Sequence, residues 1–439
     1  MLRKIPRCCA LVVLTAATAA AQTSALATQK VLDRLDALEA ENKRLSDEIA
    51  DLRKQLLDKS ASDERLQVQE TRTAELDRKK VDTSQKMPVE ITGMLLFNAF
   101  RNGPYSGTSL SDPISASSTG GSSTTGATFR QTVLGLRFFG PDLPGGGKAS
   151  GSVYMDFFTG SLQPGNNVFR LRLATLDLAW KNTTFTVGQD KPIIAPREPT
   201  SLAQVGVSPL TGAGNLWQWQ PQARVEQRFS LSEGNEIRAQ AGVFESYEAA
   251  NSVPAPYAGT LGLWRPAYEA RLEYSHSSGA RRFEISPGYH ASASRVAGQS
   301  VSSRAVSLDW LARVSSQVEF TGAWFTGQNL AGLGTLRQGF TILPSSSAIP
   351  VHLYGGWGQV TLTASSRWSF NLFGGEEHDR AGDLAGNSIV RNIVYGENTM
   401  WKLAPNILAS LEVSQARTLY LISGPRLNNH YDLALAYLF

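Results

Sequence analysis

Cysteine, charge and long apolar runs are all scarce in this 439-residue chain. Its two cysteines, Cys8 and Cys9, sit together near the N-terminus, which excludes a disulfide scaffold. Beyond the first twenty residues no stretch holds the 18 or so consecutive apolar residues that a membrane-spanning helix requires, so a helical bundle is excluded too. Charged residues make up 18% of the chain, below the usual quarter of a soluble domain, and the net charge is only +4. Nucleic acid is therefore a poor partner, because phosphate binding needs clustered positive charge. The five histidines (His276, His290, His352, His378, His430) show no ligand spacing, so no metal or other cofactor is expected.

What is present falls into regions of different period. Arg3, Lys4 and Arg7 precede an apolar run from Cys8 to Ala20 and a small-residue site at Ala19–Ala21, the pattern of a signal peptide over 1–21. Cleavage there would remove both cysteines. Residues 22–80 carry a heptad pattern with Leu35, Asn42, Ile49 and Leu56 at a, and Leu38, Leu45 and Leu52 at d together with Val31. This predicts a periplasmic coiled coil whose buried Asn42 sets the register. Arg34 and Glu48 can pair with Glu39 and Arg53 of a parallel neighbour. A short linker, 81–87, follows.

From Pro88 to Phe439 the period is two. Tyr431, Leu433, Leu435, Tyr437 and Phe439 form one apolar face, while Asp432, Ala434 and Ala436 form the other. Tyr268, Ala270, Leu272 and Tyr274 likewise oppose Glu269, Arg271 and Glu273. Turn signals divide the region into sixteen such segments, among them 127–140, 216–231, 303–314 and 429–439. Several odd-numbered connections are long and most even-numbered ones short. That asymmetry predicts an all-β fold: a 16-stranded antiparallel transmembrane barrel behind the coiled coil, with short periplasmic turns and long outer loops. All nine tryptophans lie after residue 179, several near strand ends, as an aromatic girdle would place them.

The polar faces show the cargo chemistry. Of 26 cations in the barrel region 22 are arginine, and its net charge is +2. Strand parity puts Arg224, Glu226 and Arg228 on one inward face, Arg238 on the next strand, and Arg170 with Arg172 on another whose parity flips near Ala174, where a bulge would fit. Planar guanidinium forks suit carboxylate and phosphate, which predicts a modest anion preference. An alternative stays open: lumens need charge of both signs to stay wet, and any single arginine can instead brace a loop.

The segments Phe169–Ala174, Val187–Gln189 and Pro221–Val225, with the coiled coil ahead of the barrel, resemble the phosphate-selective and DcaP-like porins of Gram-negative outer membranes. The resemblance implies passive diffusion of small hydrophilic solutes through a homotrimer in outer-membrane lipid, with phosphate or dicarboxylates as cargo. It also implies an inward-folded third loop, here Lys191 to Asn215. Lys191, Arg197 and Glu198 on that loop would then face Arg170, Arg172, Arg224, Arg228 and Arg238 on the wall. Tyr437 and Phe439 would serve as the C-terminal assembly signal. The scarcity of lysine departs from the phosphate-selective members.

Two other classes compete. The coiled coil could tether the outer membrane to peptidoglycan. A hydrolase would need a nucleophile, and His290-Ala291-Ser292 places a His and a Ser on one strand face. Such a triplet arises easily by chance, and the chain is read as a non-enzyme.

Overall fold

In a computed structural model the described residues are 41, 43–46, 48 and, from 89 to 439, all except 108–110, 112, 161–166, 247–256, 258–265 and 337. The chain divides into two compact units, Met1–Ala61 and Ser62–Phe439. In the first, residues 41, 43–46 and 48 are helical. Of the expected coiled-coil seam only Leu45 is among them. Leu35, Leu38, Asn42, Ile49, Leu52 and Leu56 lie outside the described residues, as does the signal peptide.

The second unit is a closed antiparallel sheet. Its first half comprises β1 (Val89–Asn102), β2 (Thr124–Thr128), β3 (Val133–Leu143), β4 (Gly147–Gly160), β5 (Asn167–Ala179), β6 (Thr183–Asp190), β7 (Gln220–Ser232), β8 (Asn235–Glu245) and β9 (Pro266–Ser278). The second half comprises β10 (Arg281–Val296), β11 (Gln299–Arg313), β12 (Val318–Gln328), β15 (His352–Thr363), β16 (Trp368–Asp379), β17 (Ile389–Ala404), β18 (Ile407–Tyr420) and β19 (Gly424–Leu438). A separate hairpin, β13 (Phe340–Ile342) and β14 (Ala348–Pro350), rides in the connection between β12 and β15. Consecutive wall strands pair, and β19 returns to β1 from Met94 opposite Leu438 to Asn102 opposite His430. The β2 and β3 segments share one position in the wall, so sixteen strands close the barrel. Phe439 seals the seam: it exchanges backbone bonds with Gly93 at 2.9 and 3.1 Å.

Alternation decides which side faces which solvent. Tyr431, Leu433, Leu435 and Tyr437 are 46–55% exposed, whereas Asp432, Ala434 and Ala436 are 0–2% exposed. This inversion holds around the wall, with Phe320, Trp324, Leu372 and Leu411 outside and Thr321, Asn371, Glu412 and Asp309 inside. Leaving a leucine or aromatic side chain in water forgoes about 1.5–3 kcal/mol, so this surface requires hydrocarbon around it. Closure gives every wall strand two hydrogen-bonded neighbours, as the bilayer demands.

Four expectations need correction. The strand expected over 127–140 is broken at Phe129–Thr132, where the backbone turns Arg130 and Gln131 inward. The strand expected from 216 starts at Gln220. The Trp217 and Gln218 N–H groups donate to Leu333 O, so those residues belong to the loop. Two outer connections are tight: Ala297 and Gly298, both at positive φ, join β10 to β11, and Leu421–Ser423 join β18 to β19. A two-residue turn with both φ values positive matches the twist of a hairpin, which lets β11 start earlier than expected, and a three-residue turn closed by Gly424 at positive φ does the same for β19. Finally, Trp217 and Trp357 are not girdle residues. They are 4% and 3% exposed, Trp217 within the inward loop and Trp357 packed against its Leu210 and Ala213, while Trp368 and Trp401 do stack at the outer face near the short turns.

Candidate functional site

The connection 191–219 between β6 and β7 does not project outward. Wall side chains hold it inside the lumen, and its contacts run round the barrel in chain order. Ile194 donates its N–H to Glu269 on β9 at 3.2 Å and accepts from Ser307 on β11. Arg197 reaches Asp309 at 2.8 Å and Glu284. Thr200 bonds Gln359 on β15 and Asn398 on β17, and Ser201 donates to Glu412 on β18 at 2.6 Å. Leu202 O accepts from Asn98 on β1, and Gln131 grips Ala203, Val205 and Gly206 at 2.6–2.7 Å. Val205 O and Gly206 O then meet Arg172 and Arg170 on β5.

From β9 round to β5 is roughly three-quarters of the circuit. Sixteen strands about 4.8 Å apart and tilted about 40° make a wall about 100 Å round, so that path along the wall is about 75 Å. Ile194 to Gly206 can span only about 40 Å even when extended. An arc of about 40 Å over three-quarters of a turn has a radius of about 8 Å. The loop is therefore a ring well inside the wall, and the long polar side chains are its spokes. Its ends pack against the wall, Ile194 and Leu216 beside Phe325 and Leu353, and Gly214, at φ +97°, lies so close to Gly356 that a Cβ there would stand 2.2 Å from the Gly356 carbonyl oxygen. Only glycine fits there.

Charge concentrates on one side of the ring. Arg197, Arg228, Arg238, Arg271 and Arg282 share the carboxylates of Glu226, Glu273, Glu284 and Asp309, so five cations face four anions. Next to it, Arg170 and Arg172 share Asp156, which is fully buried. Their guanidiniums sandwich the Trp219 ring at 5.1 and 4.8 Å. Phe158 lies between Arg170 and Arg130 at 5.0 and 4.5 Å, giving a stack Arg130–Phe158–Arg170–Trp219–Arg172. A cation over a ring face gains about 0.5–2 kcal/mol, which holds three like charges together. The opposite side differs: Asn98, Asn371, Asn392, Asn398 and Gln359 predominate, and Glu412 and Asp432 accept hydrogen bonds from neutral partners.

The expected site residues divide by role. Arg170 and Arg172 come together on the ring, with the bulge at Arg172: Tyr154 pairs with Leu173 and Met155 with Leu171, leaving Arg172 extra. That is two residues before the Ala174 position the alternation indicated. Lys191 and Glu198 close the base of the loop at 2.8 Å. Loss of hydration inside the barrel mouth would raise the Glu198 pKa, but the Lys191 ammonium, the Ser208 hydroxyl and Arg172 together hold it below the ordinary glutamate range. Arg224 braces Asp190, where β6 enters the loop, at 2.7 Å. Arg197 is a strut, its side chain 14% exposed. Arg228 is the most open of the set at 51%, paired with Glu226 towards the short-turn end, and Arg238 pairs with Glu273. Four further residues belong to the site: Gln131, Asp156, Trp219 and Arg271. Arg271 was visible by parity on β9, whereas Gln131 sits in a strand break and Trp219 in a loop, where no periodicity applies.

The chain matches no protein-family model and no curated relative. Among solved structures it is similar to the outer membrane channel DcaP of Acinetobacter baumannii, with 16% identity, 82% of this chain and 100% of that one covered, and a TM-score of 0.68. The fold is that of the outer-membrane porins. An anion-selective porin from Comamonas acidovorans (12% identity, 80% and 99% coverage, TM-score 0.54) and Pseudomonas putida OprB (9%, 84% and 96%, TM-score 0.51) share the porin barrel. In porin terms, connection 191–219 is the third outer loop, folded in.

Proposed function

We propose that this chain is an outer-membrane pore for passive diffusion of small hydrophilic solutes with a modest preference for anions. The observation that carries the reading is the ring: a loop pinned inside an open-ended barrel, with arginine in excess of carboxylate along one side. Charge placed across a narrow wet gap raises the local concentration of oppositely charged solute. Arginine forks fit planar carboxylates edge-on, and lysine is scarce, so dicarboxylates suit this lumen better than phosphate. The working form is a homotrimer in outer-membrane lipid, the coiled coil lying in the periplasm. Single-channel recording with competing phosphate and dicarboxylates, together with reversal potentials in a salt gradient, tests the reading. Anion preference and block by dicarboxylates support it; clear cation selectivity would reject it. The coiled coil also allows a tether to peptidoglycan as a second role. Deleting residues 30–80 should then weaken envelope attachment without abolishing conductance.

A further inference from the structure

Diffusion does not use one constellation in the lumen wall. Tyr289 on β10 faces out at 47% exposure, so His290 and Ser292 face in. Strand register sets His290 opposite Glu269 on β9. The His290 Nε2 lies 3.1 Å from Ser292 Oγ, and its Nδ1 lies 2.9 Å from the Glu269 carboxylate. The second Glu269 oxygen accepts the Ile194 N–H, so the inward loop fixes the carboxylate. With Nδ1–H donated to Glu269, the tautomer assigned by these partners leaves Nε2 as the acceptor for the serine hydroxyl proton. This is a nucleophile, a base and an orienting acid in hydrogen-bond order.

The surroundings fit an acyl substrate. His290 and Glu269 are each 3% exposed, while Ser292 is only half-buried and meets the lumen. Two residues before Glu269 on the same inward face of β9, Ala267 forms an apolar cluster with Ile193 and Phe244. Across the β10–β11 pair the register partner of Ser292 is Ser303, a second hydroxyl residue on the same face of the sheet.

We propose that Ser292, His290 and Glu269 form a serine-esterase site for short-chain acyl esters small enough to enter the pore. Ser292 Oγ attacks the ester carbonyl carbon as His290 Nε2 takes its proton. The intermediate collapses, the ester C–O bond breaks, and His290 returns that proton to the leaving alcohol. Water then attacks the acyl-serine, giving one proton to His290. The acyl–Oγ bond breaks, the carboxylic acid departs, and His290 reprotonates Ser292. The net reaction is ester plus water to acid plus alcohol. Glu269 is a positioning residue, holding the imidazole in the required tautomer.

The test uses the purified full-length protein in detergent, treated with a fluorophosphonate or with p-nitrophenyl acetate. The fluorophosphonate should label Ser292, located by peptide mass spectrometry, and Ser292→Ala should abolish both labelling and ester hydrolysis above background. His290→Gln should slow both by about 10²-fold or more, the usual contribution of a general base. Glu269→Gln should slow both and change the pH profile of labelling, which the loss of a mere brace for Ile194 would not do. Conductance and heat-resistant gel mobility of each variant verify the fold. A purely structural hydrogen-bond chain would leave Ser292 unlabelled, or ester turnover equal in Ser292→Ala and the parent, in a protein that still conducts; either result overturns the proposal.

Discussion

Replacing Arg224 and Arg228 by glutamine separates an arginine that sets selectivity from one that merely braces the loop. Arg224 is paired with Asp190 and Arg228 with Glu226, so the double substitution uncovers Asp190, leaves Glu226 with Arg238 alone, and changes the lumen charge by −2. A unit charge about 8 Å from the path of an ion acts with about 0.5 kcal/mol in water. Salt at 0.1 M has a Debye length of about 10 Å and cuts this to about 0.2 kcal/mol. The change acts with opposite sign on anion and cation. The chloride-to-potassium permeability ratio should therefore fall about twofold per charge and four- to fivefold for the pair, taking RT as about 0.6 kcal/mol. The assay is the reversal potential across a planar bilayer in a tenfold salt gradient. A charge-neutral control, Asp190→Asn with Arg224→Gln, should leave the ratio where it began. If the double arginine variant has the parent's selectivity, these guanidiniums are braces and the electrostatic reading is wrong. If the neutral control moves selectivity as far, loop position is the cause.

Arg197→Met removes the cation that ties the loop to Glu284 and Asp309, which keep Arg282 and Arg271, so the loss should stay below the cost of a fully unpaired buried ion, about 3–5 kcal/mol. The loop ring should loosen, seen as noisier single-channel current and a lower temperature for loss of heat-resistant mobility. Gly214→Val forces a Cβ into the Gly356 carbonyl at a positive φ, so the loop should leave the wall; proteolysis within 191–219 would report it and conductance should change. Glu198 has a pKa below its ordinary value of about 4.3, so the stability it adds is present above that value and lost only as pH falls through the lower folded value. Conductance should accordingly be flat from about pH 8 to about pH 5 in this respect, with any loosening of the Lys191–Glu198 clasp confined to more acid solution. Deleting Phe439 removes the backbone bonds to Gly93 that seal β19 to β1 and should lower the yield of heat-resistant barrel on refolding.

The barrel was legible because a wall strand between two solvents must alternate, and a period of two survives in single segments such as Tyr431–Phe439 and Tyr268–Ser275. Parity also assigned Arg224, Arg228, Arg238 and Arg271 to the lumen, since each lies on a regular strand. It did not distinguish a free guanidinium from a strut, because that depends on partners distant in sequence. Arg197 meets Asp309 after 112 residues, and Asn98 meets Asp432 after 334. Loops and breaks have no period at all. Gln131 looks like one more polar residue in a strand, yet its single side chain holds three loop residues and Asn98. Parity likewise put Glu269 on the polar face of its strand but did not name its partner. His290 and Ser292 are two apart on one strand and visible at once, whereas their carboxylate partner is fixed by a pairing register that closes only after the β9–β10 turn has formed. A triplet that chance readily produces becomes a constellation only when a neighbouring strand supplies the third member on the same face. The informative distances in a barrel are thus across the ladder, where adjacent strands bring residues about 5 Å apart whatever their separation in the chain.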